Sequence, residues 1–186
     1  EVLDGRKNHR WRIEHAQVVA PEDVVRFGEL GVIPSVQPTH ATSDMYWAEE
    51  RLGLERMVEA YPYQSLLSSA GVLPLGTDFP VEGVDPLRTF YSAVFRQDTA
   101  DFPQGGFTPK EVLSREDALR GMTIWPAYAA FEENEKGSLE AGKWADFVIL
   151  NQDILTVPKP KLPDTKVLMT FVAGEKVYEA KKPIKN

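Results

Sequence analysis

Two short apolar segments, well separated along the chain, constrain it most. They are Arg12-Ile13-Glu14-His15-Ala16-Gln17 and Leu73-Pro74-Leu75-Gly76-Thr77-Asp78-Phe79-Pro80-Val81. Each reads as a short buried strand that delivers one metal-capable side chain, His15 or Asp78, at its C-terminal end. Between and after them the chain has helical periodicity. Strand and helix in alternation imply a parallel sheet with right-handed crossovers. In such sheets chemistry collects at the C-terminal ends of the strands. A His from one strand and an Asp from another can share a divalent metal there.

The local signals place the elements. Strands are expected over residues 12–16, 32–37 and 72–77. Pro21 opens a helix over 21–30, with Glu22 and Asp23 in its first turn and Gly31 after its end, an arrangement that suits the helix dipole and a left-handed C-cap. Further helices are expected over 47–60 and 63–70, and from a cap at Asp85 through Pro86 to about residue 97. Residues 98–107 read as a loop, Thr108-Pro109 as a helical restart, and Ser114 to Asp117 as a capping box for a helix over 118–123. From residue 137 the character changes. Residues 145–150 read as a strand, 166–172 and 176–179 as a hairpin around Ala173-Gly174, and the proline-bearing stretch 151–165 as a connecting loop.

Composition removes several function classes. The net charge of −7, with both signs spread along the chain, lacks the basic patch that a nucleic-acid surface needs. The one basic cluster, Lys181, Lys182 and Lys185, lies in a terminal tail and reads as a solvated end. The absence of cysteine rules out disulfides, thiolate catalysis and Cys-ligated zinc. No apolar run reaches the roughly 20 residues of a membrane span. No Gly-x-Ser-x-Gly elbow is present, which argues against a metal-independent α/β hydrolase. A cytoplasmic location is the expectation, with any N-terminal signal lying upstream of Glu1.

The segments RIEHAQ at 12–17, SVQPTHATSD at 35–44, LGTDFPV at 75–81, GSLEAGKWADFVIL at 137–150 and TFVAGEKVY at 170–178 occur in an order that resembles the C-terminal part of the metal-dependent amidohydrolases. The resemblance is to amidohydrolase family 3, the group that includes N-substituted formamide deformylases. It implies an α/β fold, the C-terminal part of a (β/α)8 TIM barrel carrying strands six to eight, plus part of a small β-sandwich. Residues 1–136 would belong to the barrel and 137–186 to the sandwich. It further implies that His15 occupies the metal-ligand place on the sixth strand. Asp78 would occupy that on the eighth, binding metal and handling the proton of the attacking water. Residues 32–44 would be the seventh strand and its loop. A His-x-His motif and the ligands of strands four and five are absent from this sequence, whose three histidines are His9, His15 and His40. The chain is therefore expected to be a piece of a longer enzyme, with residues 1–10 as the tail of a preceding helix and a loop.

The activity implied is hydrolysis of the C–N bond of a small amide or formamide through a metal-activated water. The divalent metal is expected to be zinc, and absent or weakly held by these 186 residues alone. The alternative is a non-catalytic half-barrel module that acts in assembly or partner binding. Among the remaining candidates, His40 follows the seventh strand and is a candidate contact for substrate or oxyanion, against an equal case for an ordinary loop histidine. His9 reads as structural or exposed. Glu14 is expected to pair with Arg12 or Arg10. Tyr46, Trp47 and Phe79 are candidates for a pocket wall, with core packing the commoner fate of such aromatics. Asp146 reads as structural. Trp144, Phe147 and Ile149 read as sandwich packing whose partners lie outside the chain. Open strand edges and uncovered apolar faces predict self-association.

Overall fold

A computed structural model describes residues 8–181. Residues 1–7 and 182–186 lie outside it, and with them most of the basic tail and of the expected upstream helix. The fold is mixed α/β. Strand β1 (Arg12–Glu14) is followed by helix α1 (Pro21–Leu30), strand β2 (Ile33–Ser35) and helix α2 (Pro38–Asp44). Helices α3 (Ala48–Leu52), α4 (Tyr63–Ala70), α5 (Pro86–Phe95), α6 (Arg115–Met122) and α7 (Ile124–Ala129) come next. Strands β3 (Phe147–Leu150), β4 (Val167–Val172) and β5 (Glu175–Glu179) complete the described elements.

β1 and β2 pair in parallel, Ile13 against Pro34 and Glu14 against Ser35, with α1 as the crossover. The expected third strand is reduced to one parallel bridge between Val36 and Leu75. The backbone explains the reduction. Val36 donates to the Pro74 carbonyl at 3.0 Å and Gly76 to the Val36 carbonyl at 2.9 Å, but Leu75 donates instead to Gly121 of α6 at 2.8 Å. Pro74 has no N–H to extend the ladder. Phe27, Val36, Ala41, Leu66, Leu73, Phe90 and Leu113 share one buried cluster that joins these strands to α1, α2, α4 and α5. The second sheet is antiparallel in the order β3-β4-β5. Its hairpin turns at Ala173 and Gly174, both at positive φ (51° and 81°), as a two-residue turn matched to strand twist requires.

Several expected boundaries need correction. The first strand ends at Glu14, because His15 and Ala16 turn to φ of 72° and 35°. Residues 38–44 are helix and not strand-following loop. Pro38 sits at the first helical position, where its missing N–H costs nothing. That helix has only seven residues and no apolar period to announce it. The expected helix over 47–60 breaks at Gly53, whose φ of 77° lies outside the helical region, and continues as a 3₁₀ segment, Leu54–Glu59. Residues 108–111 supply only a 3₁₀ turn, Pro109–Glu111. A further 3₁₀ segment, Lys159–Asp164, lies inside the expected loop 151–165. The caps behave as expected: Asp85 accepts from the Leu87 N–H at 2.9 Å and Ser114 from Asp117 at 3.0 Å.

Tyr46, Trp47 and Phe79 are exposed, so core packing does not account for them. Trp144 is also exposed, whereas Phe147 stacks on Phe171 with ring centroids 4.5 Å apart. Asp146 accepts a hydrogen bond from Ala173 at 2.7 Å and so ties down the hairpin turn. Among the described residues no helix is long and apolar enough to cross a membrane.

Candidate metal centre

The three segments that carry His15, His40 and Asp78 meet at one end of the β1–β2 pair. His15 follows β1, His40 lies in the first turn of α2 beyond β2, and Asp78 follows the bridge at Leu75. Their donor atoms all lie within 4.8 Å of one another. The Asp78 Oδ2 is 3.6 Å from His40 Nε2 and 3.9 Å from His15 Nδ1. The two imidazoles are nearly parallel, at 18°, with centroids 6.0 Å apart. Ligands bonded at 2.0–2.2 Å to a tetrahedral metal stand about 3.4 Å apart; the Asp78–His40 separation is near that value, and the 4.8 Å limit of the whole cluster is wider.

Local backbone geometry aims the donors. His15 and Asp78 both adopt positive φ, 72° and 56°. His and Asp are among the residue types that tolerate this region best, and strain of this kind gathers at functional sites. His40 is buried, and its Nε2 has no hydrogen-bond partner. A buried imidazole nitrogen left unpaired is costly unless a ligand completes it. His15 and Asp78 are donors that fit a divalent cation, and the orphaned His40 Nε2 beside them is left for a ligand of the same site.

Surrounding polar groups hold the three in place. Gln37 Oε1 lies 2.9 Å from His15 Nδ1. The Gln37 carbonyl accepts from the Tyr63 hydroxyl and from the His40 N–H, both at 3.0 Å. Tyr63 is fully buried, and burial pushes its phenol above the ordinary range. Close by, Asp44 accepts from Gln17 at 2.5 Å and from the Tyr61 hydroxyl at 2.7 Å. Burial, and then this bond, also raise the Tyr61 phenol. Arg12 donates to Glu14 at 2.7 Å and is one of the two partners expected from sequence; the other, Arg10, pairs with Glu133. Burial raises the Glu14 carboxyl, but hydrogen bonds from Ser35 and Arg12 outweigh it and leave the group below its ordinary value. His9 lies apart, its Nε2 2.9 Å from the Leu30 carbonyl oxygen. Gln37, Asp44 and Gln17 were not singled out by sequence reasoning, although all three lie within the segments that flank the histidines.

The sequence pattern of the amidohydrolase family matches residues 3–178. This chain belongs to that family. It is 41% identical over 181 residues to Protein LONG AFTER FAR-RED 3 of Arabidopsis thaliana, covering 95% of this chain and 30% of that protein. It is 30% identical over 172 residues to an N-substituted formamide deformylase of Arthrobacter pascens, covering 90% of this chain and 31% of that protein. Among solved structures, an uncharacterized metal-dependent hydrolase from Pyrococcus horikoshii OT3 superposes with a TM-score of 0.73 at 34% identity, covering 82% of this chain and 31% of that one. This amidohydrolase chain thus spans about a third of the length of the relatives it matches.

Proposed function

We propose that the chain supplies strands six to eight of a metal-dependent amidohydrolase barrel through residues 1–136, and part of a small β-sandwich through residues 137–186. The whole enzyme would hydrolyse a C–N bond of a small organic amide or formamide. The observation that carries this reading is the convergence of His15, His40 and Asp78 from three separate segments, in a chain of this family. A divalent ion held there, with zinc the expected one, would supply Lewis-acid polarisation of the substrate carbonyl and a lowered pKa for water. His15 and Asp78 would hold it. Asp78 takes the proton of the attacking water and returns it to the leaving nitrogen, a transfer that amides need because their amine leaves poorly unprotonated. His40 offers its unpaired Nε2 to the substrate oxygen from beside Asp78.

The 186 residues alone would be inert and would hold metal weakly, since zinc sites are built on at least three protein ligands and only His15 and Asp78 occupy ligand places by resemblance. They would also self-associate. Ile13, Val148, Leu168 and Val177 are exposed on the strands, and β1 has no strand on its second edge among the described residues. A concentration series by ultracentrifugation that shows only monomer would overturn this part. The test of the activity is Asp78→Asn in the full-length natural protein that carries this chain, assayed on a panel of formamides and amides. Asn keeps the shape of Asp but takes no proton, so turnover should be largely abolished with the thermal melt unchanged. Turnover within a few-fold of wild type would remove Asp78 from the mechanism.

A further inference from the structure

His15 has two ring nitrogens, and only one of them can face a metal while the other donates a hydrogen bond. Its Nδ1 lies 2.9 Å from Gln37 Oε1. A carbonyl oxygen only accepts, so this contact requires the proton on Nδ1 and leaves the Nε2 lone pair free. The reverse placement of the amide would send an N–H to Nδ1 and put the ring proton on Nε2, leaving neither nitrogen for a cation. Gln37 is itself buried and held by its backbone. Its carbonyl accepts from the buried Tyr63 hydroxyl and from the His40 N–H that opens α2. Its amide also reaches toward Gly76, two residues before Asp78; a Cβ built on that glycine would stand 4.0 Å from Gln37 Nε2. Gln37 thus contacts two of the three donor residues directly, His15 through its side chain and His40 through its carbonyl, and its amide lies near the segment that leads to Asp78.

We infer that Gln37 is the positioning residue of this centre, fixing His15 in the Nδ1–H tautomer with Nε2 presented to the metal. The inference rests on reading His15 as a metal ligand. The competing arrangement has Nδ1 as the ligand, since Nδ1 is the nitrogen measured at 3.9 Å from Asp78 Oδ2. Gln37 would then be a competitor for the metal and not a support.

The experiment uses the full-length natural protein carrying this chain, with Gln37→Met and Gln37→Glu. Met keeps the length and loses the acceptor, while Glu keeps an acceptor for Nδ1–H. Co²⁺ affinity is read from the visible absorption of the bound ion. The His15 tautomer is read from ¹⁵N chemical shifts of the metal-free protein, with the signal assigned by its loss in His15→Ala. Expected results are an Nδ1–H signal for His15 in wild type, its loss in Gln37→Met, and affinity about 10–100-fold weaker in Gln37→Met. Gln37→Glu should restore affinity to within a few-fold of wild type, a rescue that a packing defect would not show. Unchanged or tighter Co²⁺ binding by Gln37→Met, or an Nε2–H signal in wild type, would overturn the inference while leaving the metal reading intact. Wild-type protein that takes up no Co²⁺, or whose uptake is unaffected by His15→Ala, would overturn the metal reading itself and the inference with it.

Discussion

Gly28→Ala should destabilise the protein even though it improves a helix. Gly28 lies in α1, near its C-terminal end, and Ala in a helix is favoured over Gly by about 0.8–1.0 kcal/mol. Against this, a Cβ at position 28 would stand 2.3 Å from the Ser69 carbonyl oxygen in α4 and 3.1 Å from Ser69 Oγ. Real Cβ contacts stay beyond 3.0 Å, so a shift of several tenths of an ångström is unavoidable. The obstructing atom is backbone, and no rotamer change relieves it. α1 and α4 must part, and the Gly28 N–H to Ser69 Oγ and Ser69 Oγ to Val25 carbonyl bonds, both 3.2 Å, stretch with them. Overpacking of this kind costs about 2–3 kcal/mol at the unforgiving end of its range. The net loss should be about 1–2 kcal/mol, read as a lower urea midpoint at unchanged slope. A midpoint equal to or above that of wild type would refute the reasoning, because propensity would then have outweighed the clash. Adding Ser69→Ala removes the hydroxyl but not the carbonyl. It should therefore not rescue Gly28→Ala, and a rescue would show that the hydroxyl was the obstacle.

Tyr63→Phe should cost about 1 kcal/mol and not more, because the Gln37 carbonyl keeps its bond from the His40 N–H when the phenol is lost; thermal unfolding at constant pH checks it, and a loss several times larger would mean that the carbonyl is left unsatisfied. Arg10 donates to both carboxylate oxygens of Glu133, at 2.8 and 2.6 Å, and these bonds pull the Glu133 carboxyl down to about 2. A folded pKa below the unfolded value of roughly 4.3 gives stability that is present above that value and lost as pH falls toward 2. The stability gap between wild type and Glu133→Gln should accordingly shrink on acidification across that window, and a gap independent of pH would contradict the assignment. Phe90→Ala, at a fully buried position of α5, should cost about 3–5 kcal/mol, measured by urea unfolding; a loss under 1 kcal/mol would mean that the site collapses around the missing ring.

Much of the candidate centre is legible in the sequence. His15 and Asp78 were set apart by the strand-like runs before them, and the structure brings their side chains within 3.9 Å. His40 was an open case between substrate contact and ordinary loop histidine; burial and an unpaired Nε2 now set it beside Asp78. Caps at Asp85 and Ser114 and the Ala173-Gly174 turn were equally readable, because each depends on a side chain or φ preference acting within a few residues.

The information readable along the chain is therefore local: which side chains end the strands, where helices start, and the family to which the motif order belongs. Tertiary structure alone decided the rest. The run 72–77 has strand character, but its ladder stops at one bridge because Leu75 finds its partner in α6. Gln37 looks like any polar residue ahead of a proline. It joins the site only when His15, after β1, and Tyr63, of α4, fold onto it. Arg10 gives no hint of Glu133, 123 residues away, yet the two meet between the first described segment and the turn that follows α7. Pairings across such separations depend on which surfaces the fold buries together, and local propensity carries no information about that choice.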